Sequence, residues 1–168
     1  KALQHSKEVL VESFCPGEEY RFLVIGQKVV ACCKRVAAFV TGDGLQKIDE
    51  LIEAKNQSRR PFEKEILVDH LMESFLKKQG FTLCDIPLKN QQVFLLQNST
   101  VSTGGISIDQ TDTVAQSYCE IALRAAKVVG AQICGVDMLI SNPEQEEGEY
   151  TILELNYNPA LYPHRYPS

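Results

Sequence analysis

The stretch EYRFLVIGQKVVACCKR, residues 19–35, decides the architecture. Two β-rich runs, 19–25 and 28–35, flank the dipeptide Gly26-Gln27. Glycine at the first position of a two-residue loop is the mark of a type II′ hairpin turn. The expectation is an antiparallel pair. On its amino-terminal side, Cys15-Pro16-Gly17 is a breaker, and the apolar run 9–11 before it reads as one more short strand. On its carboxy-terminal side, Thr41-Gly42-Asp43-Gly44 is a turn. A helical pattern follows at 46–55, with Ile48, Leu51 and Ile52 on one face. NQSRRP (56–61) reads as a basic loop. A second helix is expected over 63–79, with Leu67, Leu71 and Phe75 on one face and Gly80 as its stop. Runs 83–87 and 93–97 look extended, and NSTVSTGGIS (98–107) is a polar Gly-Gly loop. A long helix is expected over 115–129, capped by Asp112 or Thr113, with Ala115, Cys119, Ala122 and Ala126 in one stripe and Gly130 at its end. Strands at 132–140 and 150–156 form a second hairpin around an acidic loop, and 158–168 reads as coil. No repeat and no dividing linker is visible. The fold class is α+β, one unit over residues 1–168, mostly antiparallel sheet with flanking helices.

Composition narrows the function. The chain has 168 residues, 44% hydrophobic and 23% charged, the balance of a globular domain rather than a disordered one. Its net charge is −5, from 17 Lys and Arg against 22 Asp and Glu. Duplex-binding proteins carry a basic excess, so no nucleic-acid partner is expected. No apolar run approaches the roughly 18–20 residues of a membrane span, and no secretory pattern opens the chain, so no membrane partner is expected. The sequence begins at Lys1 and reads as a piece of a longer polypeptide. Its six cysteines form no C-x-x-C pair and mostly sit in apolar runs. They read as reduced, buried thiols, which suits the cytoplasm.

The most informative residues are acids in apolar surroundings. Asp137 lies in ICGVDMLI and Glu154 in TILELN. A carboxylate buried without a partner costs several kcal/mol, so a cation, a hydrogen-bond network or a metal must compensate. Glu154 and Asn156 stand two apart and share one strand face. If the two strands pair, Asp137 lies opposite them, and three oxygen donors converge as magnesium requires. Spacing alone leaves two readings open: a metal site, or Asp137 paired with a cation and Glu154 on a solvated edge. Three weaker groups accompany these acids. Glu12 to Glu19 surrounds a Pro-Gly turn whose free backbone groups and acids suit a heterocycle and ribose. Lys34-Arg35 ends a strand and suits phosphate. Ser102, Thr103, Gly104 and Gly105 offer backbone N–H groups to an anion, without P-loop or dinucleotide-fold spacing. His164 near the end is a lone imidazole.

Taken in order, ESFCPGEEYRFLVIGQKVVACCKRVAAFVTGDG, VSTGGISIDQTD, GVDMLI and LELNYNPALYPHRYP resemble the carboxy-terminal ATP-grasp domain of the bacterial bifunctional glutathione biosynthesis proteins. In those, a glutamate–cysteine ligase is fused to an ATP-grasp glutathione synthetase. The resemblance runs from about residue 9 to 167. It implies a carboxylate–amine ligase that joins γ-glutamylcysteine to glycine through an acyl phosphate, consuming ATP. It implies two Mg²⁺ or Mn²⁺ ions held by Asp137, Glu154 and Asn156, with Glu154 bridging. It implies adenine at Glu12 and the backbone of Phe14 and Cys15, ribose at Glu19, and Arg35 as the catalytic cation near the phosphates, beside Lys34. Ser102, Thr103, Gly104, Gly105, Asn158 and His164 would line the acid substrate. Such synthetases often associate as homo-oligomers.

The match has departures. The family shows Pro at the place of Ala37, Asn or His at Phe39, Arg at Leu96, Asn at Thr100, and His near Tyr162. Other ATP-grasp ligases carry Arg just before the metal-binding Asp, where Gly135 and Val136 stand here. The lid and its phosphate-binding Lys precede Glu12 in the family. The 168 residues alone are therefore expected to bind nucleotide weakly and not to turn over. Two other readings share these residues: a ligase for other amino acids, similar to cyanophycin synthetase, and a nucleotide-binding module without catalysis.

Overall fold

The computed structural model describes residues 6–11, 13–60, 63–99, 104–146 and 148–165. Its centre is the expected hairpin: β1 (Glu18–Ile25) and β2 (Lys28–Val36) pair antiparallel, with Ile25 opposite Lys28. Gly26 has φ +61°, and Gln27 is not among the positive-φ residues, which fits a type II′ turn and excludes I′. After β3 (Phe39–Thr41) come α1 (Ile48–Ser58), α2 (His70–Lys78) and β4 (Gln92–Phe94). Then follow β5 (Ile106–Asp109), α3 (Gln116–Val128), β6 (Ile133–Ile140), β7 (Tyr150–Asn156) and the single turn α4 (Tyr162–Arg165). Five strands form one antiparallel sheet in the order β5-β2-β1-β6-β7. The short strands β3 and β4 form a second.

Period-two alternation divides the large sheet into two faces. Tyr20, Phe22 and Val24 of β1, Cys32 of β2, and Cys134, Val136, Met138 and Ile140 of β6 pack with Tyr118, Ala122 and Ala126 of α3. A second core joins Val40, Ile48, Ile52, Ile66, Met72, Leu76, Val93 and Leu95 around the small sheet. Lys55 borders it, its Nζ donating to the Phe39 carbonyl at 2.7 Å and standing 4.6 Å above the Phe39 ring. In β7 the register slips at Leu153, so Ile152 pairs with Met138 and Glu154 with Asp137.

Several expected elements are corrected. Residues 9–11 form no strand: they are exposed, and among the described residues no strand pairs with them. The second helix is shorter and turned. Asp69 accepts from the N–H groups of Leu71 and Met72 and starts the helix at His70. Leu67 and Leu71 are exposed, while Met72 and Leu76 face inward. The segment before it is held extended by Asn56, whose amide donates to the Ile66 carbonyl and accepts from its N–H. Residues 83–87 form no strand, because Asp85 accepts from the N–H and hydroxyl of Thr82 and closes a turn there. Neither Asp112 nor Thr113 caps α3. Its N-cap is Ala115, and its first-turn donors are met by the β6–β7 loop: Ala115 N–H reaches the Pro143 carbonyl at 2.7 Å and Ser117 N–H the Glu146 carboxylate at 3.0 Å. The carboxy-terminal coil contains α4, which packs on β2 and β5.

Candidate functional site

The face of the sheet away from α3 carries the polar residues. Asp137 of β6 lies opposite Arg21 of β1 on one side and Glu154 of β7 on the other, one row across three strands. Only 1% of Asp137 is exposed. The Arg21 fork is bidentate on it: Nε donates to Oδ1 at 2.5 Å and Nη2 to Oδ2. Arg21 Nη2 also stands 3.7 Å from Glu154 Oε1. The Asn156 amide donates to Asp137 Oδ2 at 3.2 Å and to Glu154 Oε1 at 2.9 Å. Burial pulls the Arg21 pKa down, and the hydrogen bond and charge of Asp137 outweigh it, so the guanidinium is held above its ordinary value. The structure thus brings Asp137, Glu154 and Asn156 together as expected and adds Arg21, which the sequence reading passed over. A signal for it existed: Arg21 interrupts the apolar run of β1 between Tyr20 and Phe22, as Asp137 interrupts β6.

Arg35 stands on the same face, opposite Glu19 and two residues along β2 from Cys33, which faces Arg21 in the row. It reaches Glu19 Oε1 at 2.6 Å and lies 3.6 Å from Asp137 Oδ2. The Ser99 hydroxyl donates to the other Glu19 oxygen. Lys34, the next residue on β2, projects oppositely and pairs with Glu18 at 2.5 Å. Glu19, Lys34 and Arg35 border an open cleft of about 690 Å³, closed on its other side by Phe39 and Phe94 of the small sheet. Phe14 and Cys15 line a separate cleft beside residues 148–151, with Phe14 92% exposed. Gly104 and Gly105 face the end of α1 and residues 63–66 rather than the Asp137 row. Glu12, Ser102 and Thr103 lie outside the described residues. Asn158 is exposed, and Pro159 after it is buried above Gly135. His164 returns to the polar face. Both its ring nitrogens are buried without a partner, and its pKa is lowered to about 4, by burial first and by Arg21 next, against Asp109 and Asp137.

The donor chemistry suits a hard cation. Two carboxylates and a carboxamide stand together, and magnesium is usually held by one or two carboxylates with substrate phosphates and water. Asn156 now offers its N–H to both acids and would present its oxygen to a cation. Among the described residues, no group of three or more His, Cys, Asp or Glu is gathered for a metal. Cys33, on the same face, is buried, with its thiol pushed up to about 11, so it stays protonated and offers no nucleophile.

Comparison with known proteins agrees with this architecture. The chain is 45% identical over 175 residues to the glutathione biosynthesis bifunctional protein GshAB of Clostridium perfringens. It is 42% identical over 176 residues to that of Desulfotalea psychrophila and 43% over 177 residues to that of Enterococcus faecalis. Each alignment covers 99% of this chain and 22%, 22% and 23% of the respective relative. The crystal structure of a bifunctional glutathione synthetase from Pasteurella multocida superposes with a TM-score of 0.78 at 38% identity, covering 92% of this chain and 22% of that one. No family model matches. The chain is homologous to a segment of the bacterial bifunctional glutathione biosynthesis proteins and spans less than a quarter of their length.

Proposed function

We propose that this chain is the carboxy-terminal ATP-grasp lobe of a glutathione synthetase, acting in the cytoplasm as part of a longer ligase. In this reading ATP transfers its γ-phosphoryl group to the carboxylate of γ-glutamylcysteine and leaves as ADP. The amine of glycine then attacks the acyl phosphate, and phosphate departs as the amide forms. The observation that carries the reading is the row Asp137–Glu154–Asn156 with Arg21 and Arg35 on one face. Its support is identity of about 40% to segments of enzymes named for glutathione biosynthesis.

Asp137, Glu154 and Asn156 hold Mg²⁺ or Mn²⁺, which neutralises phosphate charge when bound. Glu19 receives the ribose, with Phe14 and Cys15 offering backbone to the adenine. Arg35, released from Glu19 by that ribose, is the cation nearest the transferred phosphoryl group. Phosphoryl transfer of this kind depends on positioning and charge rather than on a covalent protein group. The second reading, a ligase for a different acid, is favoured by Leu96. It packs against the second core, at a position where the resemblance places a cationic side chain.

The test is calorimetric titration with magnesium-ADP of the chain, of Asp137→Asn and of Glu154→Gln. Binding should require magnesium and weaken at least tenfold, about 1.4 kcal/mol, in either variant. Magnesium-independent binding, or binding unchanged in both, would overturn the assignment. If the chain alone does not bind, the same titration is made on a longer parent polypeptide. Failure there too would leave a module without ligase chemistry.

A further inference from the structure

Gly135 faces the same side of β6 as Asp137, two residues earlier. A Cβ built on it would stand 3.7 Å from both Cδ and Nε of Arg21 and 2.9 Å from Cβ of Pro159. A Cβ at 135 would thus lie in ordinary contact with the Arg21 side chain, where it crosses from β1 to Asp137, and would collide with Pro159 above it. Arg21 is well enclosed there, its side chain 13% exposed. Both Asp137 oxygens are taken by one guanidinium fork, while Glu154, 59% exposed, keeps most of its capacity. A carboxylate as buried as Asp137 needs a cation at all times. Around the same centre, Arg35 Nε and both His164 nitrogens are buried without hydrogen-bond partners among the described residues.

We infer that Arg21 is a resident stand-in for the divalent cation. It neutralises Asp137 while no ion is bound, gives that carboxylate up when one is, and then offers its fork to an anionic oxygen of the substrate on the same face. Guanidinium and metal thus exclude each other from Asp137, and metal binding and anion binding become linked through one side chain. This rests on the metal-site reading above. Arg21 is a positioning residue in the first state and a substrate contact in the second.

Manganese titration followed by electron paramagnetic resonance tests it, with melting temperatures as a second readout. The samples are the chain, Arg21→Met, Arg21→Lys and Asp137→Asn. Arg21→Met should bind Mn²⁺ at least tenfold more tightly than the unaltered chain. It should melt lower without metal and gain more on adding it. Arg21→Lys, a point charge without the fork, should fall between them, and it carries the test if Arg21→Met does not fold. Asp137→Asn should abolish the binding. If the Arg21 variants bind Mn²⁺ no better than the unaltered chain while Asp137→Asn still abolishes it, the stand-in role is overturned and the metal site survives. If none of the samples binds, the metal site falls and the stand-in role with it.

Discussion

At His164, burial decides the charge. The folded ring titrates at about 4 against an ordinary 6.5, so it is neutral at pH 7. Between those values the unfolded chain holds a proton that the folded chain refuses. Stability is therefore insensitive to this residue above pH 6.5 and falls as acid is added from there towards 4. With a partly screened ring the loss should be on the order of 1–2 kcal/mol. Melting curves at pH 7.5 and 5.0 check it: the drop should be smaller in His164→Gln than in the unaltered chain, and equal drops would assign the acid sensitivity to other groups. The acids of the site were legible as isolated charges in apolar strands. Arg21 carried the same signal and was missed, because its partner stands 116 positions away and only strand pairing brings the two together. Spacing had left Asp137 open between a cation partner and a metal. The guanidinium supplies the first, and the donor set still fits the second.

Among the elements, α2 shows where periodicity misleads. Leu67, Leu71 and Phe75 satisfy a helical stripe on paper, yet Leu67 lies outside the helix and Leu71 is 62% exposed. What sets the start is Asp69, an N-cap side chain accepting from two backbone N–H groups. Asp69→Ala should cost about 1 kcal/mol in urea unfolding, whereas Leu71→Gln should change stability by less than about 0.5 kcal/mol. A larger loss from Leu71→Gln would restore the stripe that the sequence suggested. Both long hairpins were legible, one from its turn dipeptide and one from two apolar runs around an acidic loop. The cap of α3 was not, because its acceptors come from that acidic loop rather than from the residues that precede the helix. Local sequence cannot announce a cap supplied from another part of the fold.

For the whole molecule, the large sheet serves two masters, an apolar layer beneath it and a charged surface above. The α+β class and the antiparallel plan follow from turns and alternation. The partition into two cores does not, since no linker separates the residues that feed them. β7 has to serve both masters in seven residues. Strict alternation from Ile152 would send Glu154 and Asn156 down into the apolar layer. The slip at Leu153 is a change of phase: it lets a strand that begins in step with the helix side finish in step with the charged face. Leu153 itself is half exposed and pairs with nothing across the strand. It is a silent beat, and a chain lacking it would run Ile152, Glu154, Leu155 and Asn156 in plain alternation. Deleting Leu153 should therefore leave the chain folded, with Mn²⁺ binding within about threefold, a difference of about 0.7 kcal/mol. Deleting Leu155 instead should abolish that binding, by turning Asn156 towards the wrong side. Equal damage from the two deletions would mean that the strand keeps time some other way.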